Sequence, residues 1–187
     1  MNREQLIEKI VQIELDCFLQ TNHGQQKAKC QEQPETFVLS RMSKWFLFDE
    51  RILLSYFQDL KDYLTKNLNI ITIKYAYMMF YEETVEFSLL NYDLPTISEE
   101  KEGKINNLVR QVIKWDAEAE KHPGYIKERP RYNIPNQNIT SLETYLYGEY
   151  ATYSEQTLNL LAKQFECWRE TQDNPIIRLM EYLTFFK

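Results

Sequence analysis

Turn-forming residues are too scarce in this chain for a β fold: four glycines and six prolines are spread over 187 residues. A sandwich or barrel needs a turn roughly every 8–12 residues. Helices need breaks only where they end. The expected fold is therefore all-α, a bundle of about seven to eight helices forming a single domain over residues 1–187. The length suits one ordinary domain. A composition of 43% hydrophobic and 27% charged residues supplies a core and excludes a disordered chain.

Apolar periodicity marks the helices. Leu6, Ile10, Ile13 and Cys17 recur at helical spacing, with Ile7, Val11 and Phe18 beside them, which predicts a first helix over Arg3 to Gln20. Pro34 suits the first turn of a second helix, where its missing N–H has no partner to lose. Phe37, Trp45 and Phe48 mark the apolar side of that helix. Asp49 is predicted to cap a third, carried by Leu53, Tyr56, Phe57, Leu60 and Leu64. The stretch "IITIKYAYMMFYEE" is rich in β-branched and aromatic residues, which suits a strand by propensity. It lacks clean alternation and partner strands, and so reads as a helix. In "LPTISEEK", Thr96 and Glu99 have capping-box spacing, with Ser98 as a competing cap. A sixth helix is predicted from Thr140, where Glu143 closes a second box, and Ser154 is predicted to cap a seventh. "NPIIRLMEYLTFF" reads as a short last helix. The loop over residues 123–139 is long for a compact domain, a length that often signals function.

The formal net charge is −6. Nucleic acids and anionic membranes are bound largely through lysine and arginine, so neither is an expected partner. The three cysteines, Cys17, Cys30 and Cys167, are odd in number and form no CxxC pair, which argues against a disulfide framework. With no signal peptide, a reducing cytoplasm is the expected location. The most apolar run, Ile70 to Tyr81, contains Lys74 and is too short to span a bilayer. Glycine-rich phosphate loops, Glu-x-x-His pairs and ligand-like histidine spacing are all missing, so neither a metal nor a cofactor is expected.

The informative residues are charges standing where a core residue belongs. Glu14 falls in the row Ile7, Val11, Glu14, Phe18. Arg41 lies between Phe37 and Trp45 at four-residue steps. Lys74 lies in the row Ile70, Lys74, Tyr77, Tyr81, and Glu149 in the row Leu142, Tyr145, Glu149, Tyr153. Buried charges are costly, so two acids and two bases on apolar faces are expected to meet. One reading is a polar pocket between helices in which Arg41 clamps a carboxylate or phosphate with both prongs. The plainer reading is an internal ion-pair network, or long side chains reaching water. An enzyme is a third reading, using Cys30 or the Glu14 and Glu149 carboxylates with Arg41 as the anion clamp, and a purely structural or protein-interaction domain is a fourth. Lys27 and Lys29 would favour a Cys30 thiolate, but no histidine base can be assigned to it, and an inert loop thiol is the simpler account. In "KERPRYN", Arg129 and Arg131 with Lys127 offer an anion or partner loop, against a merely solvated one.

The stretches "IVQIELDCF", "AKCQ" with the following "F" and "SR", "KYAYMM", "LPTISEEK", "RPR" and "SLETYLYGEYATYS" resemble a bacterial family of unknown function, DUF4125. The resemblance covers nearly the whole chain. It marks Glu14, Phe18, Cys30, Gln31, Phe37, Arg41, Lys74, Tyr75, Tyr77, Glu143, Tyr145, Gly148, Glu149, Thr152 and Tyr153 as family positions. The chain departs from the family pattern at "HGQQ", with one glycine where a pair is expected, and at Leu15, where an aromatic is usual. The resemblance implies no established reaction. It does imply an accessory role, because some relatives are joined to a nucleotidyltransferase-like domain, which makes such a protein a possible partner. The expectation drawn from residues and resemblance together is a binding module for a small anionic ligand or a peptide end. Its candidate residues are Glu14, Cys30, Gln31, Arg41, Lys74, Tyr77, Tyr145 and Glu149.

Overall fold

A computed structural model describes residues 1–21, 33–82, 94–123, 125 and 140–186. Among them the chain forms eight helices: α1 (Arg3–Gln20), α2 (Pro34–Trp45), α3 (Glu50–Thr65), α4 (Ile70–Tyr81), α5 (Glu99–Ala119), α6 (Leu142–Ala151), α7 (Glu155–Glu170) and α8 (Pro175–Phe185). No strand occurs among the described residues. No helix there is long and apolar enough to cross a membrane.

Short polar side chains start most of the helices. Asn2, Asp49, Asn69, Ser98, Ser141, Ser154 and Asn174 each accept a backbone N–H from the first turn that follows. Each cap satisfies a donor that would otherwise have no partner. The fifth and sixth helices start beyond their predicted caps. Ser98 rather than Thr96 caps α5, and Ser141 rather than Thr140 caps α6 by accepting the Thr144 N–H. Glu143, expected to close a capping box, instead accepts the Tyr81 hydroxyl at 3.0 Å.

The helix neighbours form a circuit. α1 packs on α4, α4 on α6, α6 on α5, α5 on α7, α7 on α3, and α3 returns to α1. α2 lies on α1 and α8 on α5, and these two also meet each other. Leu6, Ile7, Ile10, Leu53, Ile105 and Leu158 are fully buried in the shared core. Trp45 stacks on Tyr56 at 4.3 Å between ring centres, and Trp115 meets Phe165 edge-on at 5.0 Å.

Two features fix elements near the later site. A Cβ on Gly148 would lie 2.7 Å from the Lys74 carbonyl oxygen and would also collide with the Met78 side chain. Only glycine lets α4 and α6 approach this closely. At the far side, the buried Asp59 of α3 accepts the Ser154 N–H at 3.0 Å and the Thr157 hydroxyl at 2.7 Å, anchoring the start of α7.

Candidate functional site

Four helices deliver charge to one buried place, and a fifth adds a hydroxyl. Glu14 of α1 has no exposed surface. Its carboxylate accepts Arg41 Nε at 2.8 Å, the Trp45 indole N–H at 3.0 Å and the Tyr56 hydroxyl at 2.7 Å. Arg41 Nη2 makes a further close ion pair with Glu14 Oε1. Four donors thus converge on two oxygens, which is what an ionised carboxylate needs when water is excluded. Arg41 then reaches the other way, with Nη1 3.0 Å from both oxygens of Glu149 and 3.4 Å from the Tyr145 hydroxyl.

Glu149 of α6 is the second hub. It accepts Lys74 Nζ at 2.7 Å and the Tyr153 hydroxyl at 2.8 Å, and Lys44 Nζ is in close ionic contact with it. Lys44 also donates to the Tyr153 hydroxyl at 2.6 Å. Its ammonium lies 4.3 Å from the Trp45 ring centre, and that of Lys74 lies 3.4 Å from the Tyr145 ring centre. Both distances are within cation–π range.

The fields in this cluster oppose one another. Burial pushes the Glu14 carboxyl up, but Arg41, with Lys44 and Trp45, overrides it and holds Glu14 below the ordinary carboxylate value. Burial works against the Arg41 charge, yet Glu14 and Tyr145 keep its pKa well above the usual range. Lys44 goes the other way. Burial and then its neighbours Arg41 and Lys74 push its ammonium well below the ordinary lysine value, with Glu14 pulling back. Burial raises the Tyr56 and Tyr153 phenols far beyond neutrality, so both remain donors.

Of the residues singled out in the sequence, Glu14, Arg41, Lys74, Tyr145 and Glu149 meet here. Tyr77 does not join them; its hydroxyl donates to the Pro95 carbonyl at 2.6 Å. Cys30, Gln31, Arg129 and Arg131 lie outside the described residues, as does most of the long loop. Lys44, Trp45, Tyr56 and Tyr153 were not anticipated as polar contributors. Lys44 was visible in principle, since Phe37, Arg41, Lys44 and Phe48 form a row at helical spacing. These contacts bear on two of the readings. The Arg41 fork, read either as a ligand clamp or as part of an internal network, holds Glu14. The Glu14 and Glu149 carboxylates, read as candidate catalytic groups, each accept several charged or hydroxyl donors.

Beside the cluster lies a cavity of 370 Å³, in the size range of small-molecule sites. It follows one face of α2, through Thr36, Phe37, Ser40, Arg41 and Lys44, and continues to Leu47 just beyond that helix. Lys74, Tyr145 and Glu149 line it beside these, Asp116 of α5 lines it as well, and Glu14 stays behind Arg41 and does not reach it. Lys44 is the most accessible of the charged groups, with 19% of its side chain exposed against 4% for Arg41 and 6% for Lys74. No group of three or more histidine, cysteine or carboxylate side chains among the described residues is arranged to hold a metal ion.

The chain matches no curated protein and no solved structure. One family model, described as a protein of unknown function (DUF4125), matches residues 4–185.

Proposed function

The chain belongs to the DUF4125 family, and on that premise we propose that it is a binding module for a small organic anion, seated beside Lys44 in the cavity along α2. One observation carries this reading. Among the described residues, three basic side chains (Arg41, Lys44 and Lys74) share a buried cluster with two carboxylates, Glu14 and Glu149, and Lys44 is the basic group most open to the cavity. Arg41 is locked between the two acids, so it contributes field rather than a free fork. An anion brought next to Lys44 would be matched by a proton on its amine.

The same charges give the reading a pH signature. The groups around the Lys44 amine are Glu14 of α1, Arg41 of α2, Tyr56 of α3, Lys74 of α4, and Tyr145, Glu149 and Tyr153 in and just after α6. An incoming anion favours the ammonium form of Lys44, so binding takes up a proton and weakens as pH rises.

Thermal shift with acetate, benzoate, hexanoate and inorganic phosphate at constant ionic strength tests this directly. At least one of these should raise the melting temperature of the wild type, and the same anion should leave Lys44→Met unmoved. Lys44→Met itself should fold with undiminished stability, because Glu149 keeps Arg41, Lys74 and Tyr153 as partners. Equal shifts in both proteins, or none in the wild type, would refute the reading.

A further inference from the structure

Lys44 is a partly exposed amine in the wall of the cavity, and we infer that it is an imine-forming residue: it condenses with the carbonyl of an aldehyde whose apolar body occupies that cavity. The inference uses the same side chain as the anion reading but goes beyond it, since an aldehyde needs no charge to bind.

An amine that attacks a carbonyl must be reachable, held in place and uncharged. Lys44 is more exposed than Arg41 or Lys74 and lines the cavity with both. Its nitrogen is held by the Tyr153 hydroxyl at 2.6 Å, by close contact with Glu149 and by the Trp45 ring, whose centre is 4.3 Å away. Glu149 is shared: its carboxylate also accepts Arg41 at 3.0 Å and Lys74 at 2.7 Å, so its charge is not committed to Lys44 alone. Burial, then Arg41 and Lys74, lower the Lys44 amine well below the ordinary lysine value against the pull of Glu14. A desolvated lysine beside a second cation is the kind that forms Schiff bases. The walls suit an apolar partner, with Phe37, Leu47, Phe48, Val112, Leu146 and Leu179 among the lining residues.

The condensation needs only the amine and the aldehyde. The nitrogen lone pair bonds to the carbonyl carbon as the C=O π pair moves onto oxygen, giving a carbinolamine. The carbon–oxygen bond then breaks, a carbon–nitrogen double bond forms, and the two amine protons leave with the oxygen as water. Those protons must travel from nitrogen to oxygen. The Tyr153 hydroxyl accepts from Lys44 and donates to Glu149 at 2.8 Å, so it is at once acceptor and donor, as a relay must be.

Reductive trapping on the full chain tests the inference. Limiting benzaldehyde with excess sodium cyanoborohydride at neutral pH converts an imine into a stable benzylamine, which peptide mass mapping locates. Exposed lysines are almost wholly ammonium at that pH, so Lys44 should be labelled at least roughly tenfold faster than the exposed Lys9, Lys61 and Lys163. The preference should vanish when the chain is unfolded in urea. Tyr153→Phe should slow labelling of Lys44 at least roughly tenfold, and an unchanged rate would overturn the relay. Labelling of Lys44 no faster than of the exposed lysines, or a preference that survives urea, overturns the imine. That failure with anion binding intact leaves the anion reading standing, whereas selective labelling in a protein that binds none of the anions upholds the imine alone.

Discussion

Glu14 shows what a single residue can commit a core to. It sits with no exposed surface among donors from three other positions, and each of those donors is itself buried. Replacing it by glutamine keeps the shape but leaves Arg41 with one acid instead of two. Removing one partner of a buried pair typically costs about 3–5 kcal/mol, so Glu14→Gln should lower the unfolding free energy by that order in urea titration. A loss near zero would mean that Arg41 finds another partner. At this scale the sequence was readable for charges that replace an apolar residue in a stripe, as with Glu14, Arg41, Lys74 and Glu149. It was less readable for polar atoms carried by residues that also suit a core. Trp45 and Tyr56 satisfy an apolar pattern while supplying an indole N–H and a hydroxyl to Glu14, and a pattern of hydrophobicity records only the first property.

Helices bring those residues together, and their contact geometry is less visible in sequence than their existence. The eight helices follow from stripes and caps, but which helix lies on which depends on surface shape. Gly148 is the clearest case. In the sequence it is a helix-weakening residue inside "YLYGEY"; in the fold it is the point where α6 rests on the Lys74 carbonyl and Met78 of α4. The next residue is Glu149, so this close approach sets the Lys74–Glu149 distance of 2.7 Å. Gly148→Ala should force the two helices apart and destabilise the protein by roughly 1–3 kcal/mol. Chemical denaturation would measure it, and an unchanged midpoint would show that α4 and α6 can separate without cost. Cap positions illustrate a milder difficulty. Thr96 and Ser98, or Thr140 and Ser141, are neighbouring hydroxyls with similar local sequence, and the path of the chain into the helix decides between them.

The whole molecule is an all-α assembly whose scarcity of glycine and proline already excluded most alternatives. Its response to acid sums opposing groups. Glu14 has its carboxyl held below the ordinary 4.5, so its stabilising effect is complete above that value and is lost as pH falls through the folded-state pKa. Asp59 runs the other way: burial raises its carboxyl above the ordinary 3.8, with Thr157 and Ser154 opposing, so its protonation partly offsets the loss. Stability of wild type and Glu14→Gln, followed from neutrality to about pH 3, should converge as the acid limit is approached. Parallel curves would contradict the assignment of an ionised Glu14.

The third basic group of the described cluster, Lys44, becomes a function only if an anion joins it. The most direct measurement is calorimetric titration of hexanoate into wild type and Lys44→Met at neutral pH, repeated in two buffers of different ionisation enthalpy. The account predicts saturable one-site binding to wild type, at least roughly tenfold weaker in the variant, with a buffer-dependent heat that reports proton uptake by Lys44. Binding of equal strength in both proteins, or binding whose heat is the same in both buffers, would contradict it.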